Sequence, residues 1–408
     1  MLAKKLNQGS DPLGILNQEV ESSLESASWI RRMFEEGNRL RQQFGADQVY
    51  DFSLGNPHLE PPPEFAQALA DLALHPPLGL HRYMPNPGFT DVREAIGDWY
   101  GKREGVLVPT EHVVMTCGAA GAINVALRAM LEPGDEVILF VPIFAEYRFY
   151  VMHARGTCRM VETTDEFDLD LDRLESAIGP RTRAVLINSP NNPTGRVYPE
   201  QTILGLCELL ERKSKEIGRA IVLITDEPYR MLTYDGVSVP AVMPHYAATL
   251  GISSFSKDLG LAGERIGYLI VHPDFPEAGD LLRGLIFCLR TMGFVNAPAI
   301  IQKSVAQVLG ASVDVDAYRQ NRDLFYPALL SMGLSVCKPD GAFFLFPKTP
   351  IADDVAFVKL LQAERVLSVP GTGFGRPGYI RLSYAVDRDV IERSLPQFKK
   401  VMRTIAGA

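Results

Sequence analysis

A chain of 408 residues, 46% apolar and 22% charged, has the make-up of a globular protein and is too long for one simple core; one large and one smaller domain are expected. The net charge of −8 argues against general affinity for nucleic acid or acidic membrane surfaces. Five cysteines without paired spacing and seven histidines without metal-ligand spacing argue against zinc and fit a reducing compartment. With no signal peptide or membrane-length apolar run in view, a cytoplasmic location is expected.

In chain order, residues 1–20 read as an extended polar arm. Ile30, Met33, Gly37, Leu40 and Phe44 then recur at three- and four-residue steps. That spacing predicts one face of a helix, with Ser28 as candidate N-cap and Gly45 as stop. The middle of the chain alternates apolar runs (136–141, 184–188, 220–225, 249–253, 266–271) with amphipathic stretches (121–131, 200–217, 280–289). Runs rich in Val, Ile and Leu that do not alternate with polar residues predict a mostly parallel sheet covered on both faces, an α/β fold. Beyond about residue 320 the pattern shifts to short strands at 343–346, 366–369 and 379–383. A closing helix follows at 390–405, with Asp387 near its cap, so this part reads as a smaller α+β domain.

The residues able to do chemistry follow these strands. The run 136–141 leads into Phe144, 184–188 into Asn192-Pro193-Thr194-Gly195, 220–225 into Asp226-Glu227-Pro228-Tyr229, and 249–253 into Ser254-Phe255-Ser256-Lys257. In an open α/β sheet, ligands bind beyond the carboxyl ends of the strands, so these groups are expected along one edge. Lys257 among hydroxyls and glycines, with Arg265 eight residues on, suits a Schiff-base lysine beside a phosphate clamp, the requirement of pyridoxal 5′-phosphate. Asp226 can keep a ring nitrogen protonated. Asn192 and Tyr229 can donate to a ring oxygen, and Phe144 can cover a ring face. Gly118-Ala119-Ala120-Gly121, ahead of the expected helix, with Ser254, Ser256 and Arg265, can cradle a phosphate. Each group also has a plainer reading: Asp226 as a helix cap, Asn-Pro-Thr-Gly as a turn, Phe144 as core, the small residues as close helix packing. Their agreement on one cofactor favours the chemical reading.

These motifs in this order resemble the fold-type I pyridoxal-phosphate enzymes and, among them, the class I/II aminotransferases. The resemblance runs from about Asp51 to the C-terminus and includes Gly55-Asn56-Pro57, Tyr83 and Arg381-Leu382-Ser383. It implies a large domain over 51–320 with a mostly parallel sheet of the seven-stranded type. A small α+β domain is implied from the N-terminal arm and helix (1–50) and the C-terminal segment (321–408). Lys257 is implied as cofactor lysine and proton carrier, Asp226 as partner of the ring nitrogen, and Arg381, with Gly55 and Asn192, as the grip on the substrate carboxylate. Tyr83 is implied to reach the phosphate of a neighbouring subunit, which makes the active unit a homodimer. The expected activity is exchange of an amino group between an L-amino acid and a 2-oxo acid by a ping-pong cycle. A β-lyase or decarboxylase on the same cofactor, and a binding protein without turnover, are the alternatives. Two departures stand out: Phe144 where Tyr or Trp is commoner, and Ala120 where an aspartate-specific subgroup carries lysine. Arg290 is weighed as a distal-carboxylate ligand, with a surface helix charge preferred.

Overall fold

A computed structural model describes residues 15–26 and 29–407. Ser28 and most of the expected arm lie outside the described residues. The described end of the arm is helical rather than extended, over Gln18–Ser26. The reason is local: the Asn17 side chain accepts the Glu19 N–H at 2.8 Å, and Glu19 and Glu21 place negative charge in the first turn. The next helix, Trp29–Phe44, stops as expected at Gly45, whose φ of +88° suits glycine.

The central sheet has seven strands: β1 (Val113–Thr116), β2 (Glu136–Val141), β3 (Thr157–Glu162), β4 (Thr182–Asn188), β5 (Val222–Asp226), β6 (Thr249–Ser254) and β7 (Gly267–Val271). Across the sheet they run β1-β7-β6-β5-β4-β2-β3. Strands β3, β2, β4, β5 and β6 pair in parallel, and β7 is antiparallel to both its neighbours. Because β7 separates β1 from β6, β1 points the same way as the parallel set. Thr116 and Ser254 both pair with Gly267, so the loops after β1 and β6 leave the sheet at the same edge.

Every residue of β5, β6 and β7 is buried, as an interior sheet covered on both faces requires. Helices Gly118–Met130, Glu200–Ile217 and Ala278–Thr291 supply Ile123, Leu127, Leu206, Leu210, Leu285 and Leu289 to its core. Each such side chain, fully buried, contributes roughly 1.5–3 kcal/mol. A second core joins the two ends of the chain. Met33, Tyr50 and Phe52 pack with Phe325, Phe357, Val366, Leu382 and Phe398, and Tyr50–Asp51 pairs in parallel with Val366–Leu367. The closing helix is Arg388–Ala406, with Asp387 at its N-cap position but no side-chain bond to the helix.

Candidate active site

The strand ends converge on a cavity of about 420 Å³. Gly55, Ala119, Ala120, Phe144, Asn192, Asp226, Tyr229, Ser254, Ser256, Lys257, Arg265 and Arg381 all line it. Gly118 lies just behind: a Cβ there would sit 2.9 Å from Nη2 of Arg265, and its φ is +74°. The small-residue motif does not precede the helix, as expected from the sequence, but forms its first turn, since the helix begins at Gly118. The positive φ of glycine lets the chain turn from β1 straight into the helix. The helix's first backbone N–H groups have no helical partner, and Ala119 and Ala120 of this turn line the cavity.

Lys257 Nζ donates to the Gly55 carbonyl at 2.9 Å, with the rings of Tyr229 and Phe343 at 6.0 and 5.6 Å. Burial, helped by the charges of Arg381 and Arg265, pushes its ammonium down to about 8. Asp226 ends β5. Its Oδ2 accepts from the Tyr147 hydroxyl, while Oδ1 is buried and makes no hydrogen bond among the described residues. Burial pushes this carboxyl up to about 7; the Tyr147 hydrogen bond opposes that and the neighbouring Glu227 charge adds to it.

Asn188, directly across from Asp226 in the β4–β5 register, ties the two loops together. Its Nδ2 donates to the Asp226 carbonyl at 2.9 Å and its Oδ1 accepts the Asn192 N–H at 2.7 Å. Asn192 Oδ1 in turn accepts from Arg381 Nη1 at 3.0 Å. Arg381 comes from the second core, on the strand Ile380–Ser383. It is 1% exposed, donates through Nη2 to the Ser53 carbonyl at 2.6 Å, and lies between the rings of Phe344 and Phe374 at 4.7 and 4.8 Å. Its Nε is buried without a partner among the described residues. Burial lowers its guanidinium to about 10, against the pull of Tyr229.

Tyr83, implied for a neighbouring subunit's site, and Arg290, preferred as a surface helix charge, both lie away from this cavity. Tyr83 is 93% exposed and lies outside the cavity lining. Arg290 is an exposed charge in the last turn of Ala278–Thr291, 5.8 Å from the Phe287 ring, and does not line the cavity. Conversely, Tyr147, Tyr150, Glu146, Asn188 and Ile123 line it and were not singled out from the sequence. A period of three from Phe144 through Tyr147 to Tyr150 was the available signal, but it reads equally as a helix face.

The strand order, the convergence of loops at one sheet edge and the buried lysine define an α/β enzyme of the fold-type I class. Similarity to known proteins narrows this. The family described as aminotransferase class I and II matches residues 47–397. The aspartate/prephenate aminotransferase of Thermus thermophilus is 33% identical over 377 residues, covering 89% of this chain and 93% of that one. The probable aspartate aminotransferase of Methanocaldococcus jannaschii is 31% identical over 359 residues, covering 86% and 92%. An amino transferase structure from Eubacterium rectale matches with a TM-score of 0.92 at 40% identity, over 96% of this chain and 99% of that one. The chain belongs to the class I and II aminotransferases: it is an enzyme, a transaminase. Among the described residues no helix is long and apolar enough to cross a membrane.

Proposed function

We propose that this aminotransferase holds pyridoxal 5′-phosphate in the strand-end cavity. With it, the enzyme passes an amino group from an L-amino acid to a 2-oxo acid in two half-reactions, the first product leaving before the second substrate binds. The observation that carries the reading is a pair of groups in one cavity. Lys257 has a buried amine with a lowered proton affinity, and Asp226 has a buried carboxylate oxygen without a partner among the described residues. A group that brings both a carbonyl and a protonated ring nitrogen answers both. The cradle of Gly118, Arg265 and a helix N-terminus fits its phosphate.

When bound, pyridoxal 5′-phosphate supplies an electron-withdrawing ring that stabilises negative charge at the substrate α-carbon. The chain's own residues do the rest. The backbone N–H groups of Ala119 and Ala120, with Ser254, Ser256 and Arg265, take the phosphate. Asp226 Oδ1 takes the ring nitrogen, Asn192 and Tyr229 the ring oxygen, and Phe144 a ring face. Lys257 anchors the cofactor and then carries the α-proton. Its lowered proton affinity leaves a substantial neutral fraction near neutral pH, as a base requires. Arg381, with Asn192 beside it and Gly55 close by, takes the substrate α-carboxylate through its fork of donors.

The smaller domain is read as residues 1–50 with 321–408, and the larger as 51–320; the second core joins the chain's two ends and also takes in Phe167, Tyr229 and Tyr318 of the larger part. Tyr83, exposed on the single chain, reaches the phosphate of a neighbouring site in a homodimer. A cytoplasmic setting is supported by five cysteines, none of them paired. The names of the relatives put aspartate, prephenate and aromatic amino acids at the head of the substrate panel. Mixing the loaded enzyme with one amino acid at a time, without a 2-oxo acid, tests the reading. It predicts stoichiometric 2-oxo acid release with at least one donor, reversed by adding a 2-oxo acid. Steady release of ammonia or carbon dioxide without an acceptor would contradict transamination and favour a lyase or decarboxylase.

A further inference from the structure

We infer that Tyr147 is a positioning residue for Asp226: its hydroxyl turns the carboxylate so that Oδ1 faces the cavity, and holds it as an anion for a protonated ring nitrogen. The inference rests on the reading of Asp226 given above. Tyr147 opens the short helix Tyr147–His153, three residues after Phe144, and is 3% exposed. Its hydroxyl donates to Asp226 Oδ2, so that oxygen is occupied and cannot rotate toward the ligand. The other oxygen is the one left without a partner. The Tyr147 ring is fixed in turn. Phe144 meets it edge-on with centroids 5.4 Å apart, and Tyr150 does so at 6.4 Å. The same ring therefore buttresses the Phe144 ring face and aims the carboxylate.

The electrostatic case follows from what surrounds Asp226. It is 5% exposed, and the charged group facing it is Glu227, a like charge. Tyr147, Tyr229 and Tyr150 are the titratable neighbours, all phenols that stay neutral near neutral pH. Burial and Glu227 both favour the protonated acid. A neutral acid facing a ring nitrogen that already carries its proton sets two donors against each other, so the pairing fails. The donated bond from Tyr147 opposes both and lowers this carboxyl's proton affinity. Loss of a hydrogen bond to a charged group shifts such an equilibrium by about one pH unit or more.

The test uses pyridoxamine 5′-phosphate, which needs no covalent bond to Lys257. Its dissociation constant is measured calorimetrically on the cofactor-free protein from about pH 5 to about pH 9. In the unaltered protein, affinity is expected to climb through about pH 7 as Asp226 ionises and to level off about one pH unit higher. In Tyr147→Phe, which keeps the ring packing, the climb continues about one pH unit or more further up, and affinity near neutral pH drops roughly tenfold. Tyr147→His, which keeps a ring donor, moves the profile back toward the unaltered one. It also provides the comparison if the phenylalanine variant does not fold. In an Asp226→Asn background, Tyr147→Phe should have no further effect on the profile. Tyr147→Phe and Tyr147→His profiles that both overlay the unaltered one would overturn the role of Tyr147. An Asp226→Asn profile that overlays it would instead overturn the pairing of Asp226 with the ring.

Discussion

Lys257 can act as nucleophile and base because its surroundings make its charge costly. The amine is buried, two guanidinium groups repel a third cation, and it donates to the Gly55 carbonyl. The direction of the pH effect follows. An ordinary lysine becomes neutral above about 10.4, whereas this one becomes neutral above about 8. The rate at which cofactor-free protein takes up pyridoxal 5′-phosphate, followed by absorbance, is therefore expected to rise with pH through about 8 and level off about one unit higher. A rise continuing toward 10 would mean that the reacting amine is an ordinary surface lysine. Arg381 is organised for a different task. Two of its nitrogens are held by Asn192 and Ser53, which fixes the guanidinium plane, and its Nε has no partner among the described residues. Arg381→Ala is expected to raise the amino-acid KM by about a hundredfold or more, as the loss of a bidentate charged pair would. It leaves Asn192 and the Ser53 carbonyl without their donor, so its fold is checked by a thermal melt. An unchanged KM would place the carboxylate elsewhere.

The elements show why these residues meet. Strands β4, β5 and β6 end together, and Asn188 bonds the β5 carbonyl at Asp226 while holding the loop that carries Asn192. Behind this edge, Glu227 is held by Arg103 at 3.0 Å and Arg230 at 3.4 Å, and Glu104 by Arg230 at 2.7 Å. This buried network pins the end of β5. The turn from β1 into the helix at Gly118 is equally constrained. Gly118→Ala places a methyl 2.9 Å from Arg265 Nη2 on a backbone with φ +74°. A weakening of pyridoxal 5′-phosphate binding by roughly tenfold is expected, from strain on the order of 1–2 kcal/mol. Unaltered binding in that variant would remove Arg265 from the phosphate site.

Interior strands were legible in the sequence because they are buried on both faces and read as unbroken apolar runs; β2 was bounded correctly at both ends. Strand β3 was not. As the sheet's outer strand it exposes Thr157, Arg159, Met160 and Glu162, and this mixed pattern carries neither period. Strand β1 is only four residues long. The site residues after strands were legible for the same reason as the strands. Tyr147 and Asn188 were not, because their roles depend on which strand lies beside which, and sequence spacing does not contain that.

At the scale of the whole molecule, the cavity draws on two cores. The sheet presents Lys257, Asp226 and the first helical turn after Gly118, and the core shared by the chain's two ends presents Tyr229 and Arg381. On the proposed reading, most cofactor groups therefore come from one body of packing, and Tyr229 and the substrate-carboxylate group from the other. Tyr83, exposed at 93%, leaves room for a contribution across a subunit boundary. The central claim is that this cavity, through Lys257, is where the cofactor is anchored and amino transfer takes place. Borohydride reduction of protein loaded with pyridoxal 5′-phosphate, followed by peptide mass mapping, tests it most directly. One label per chain on the peptide containing Lys257, lost in Lys257→Ala, is the predicted result; a stoichiometric label on any other lysine would contradict it.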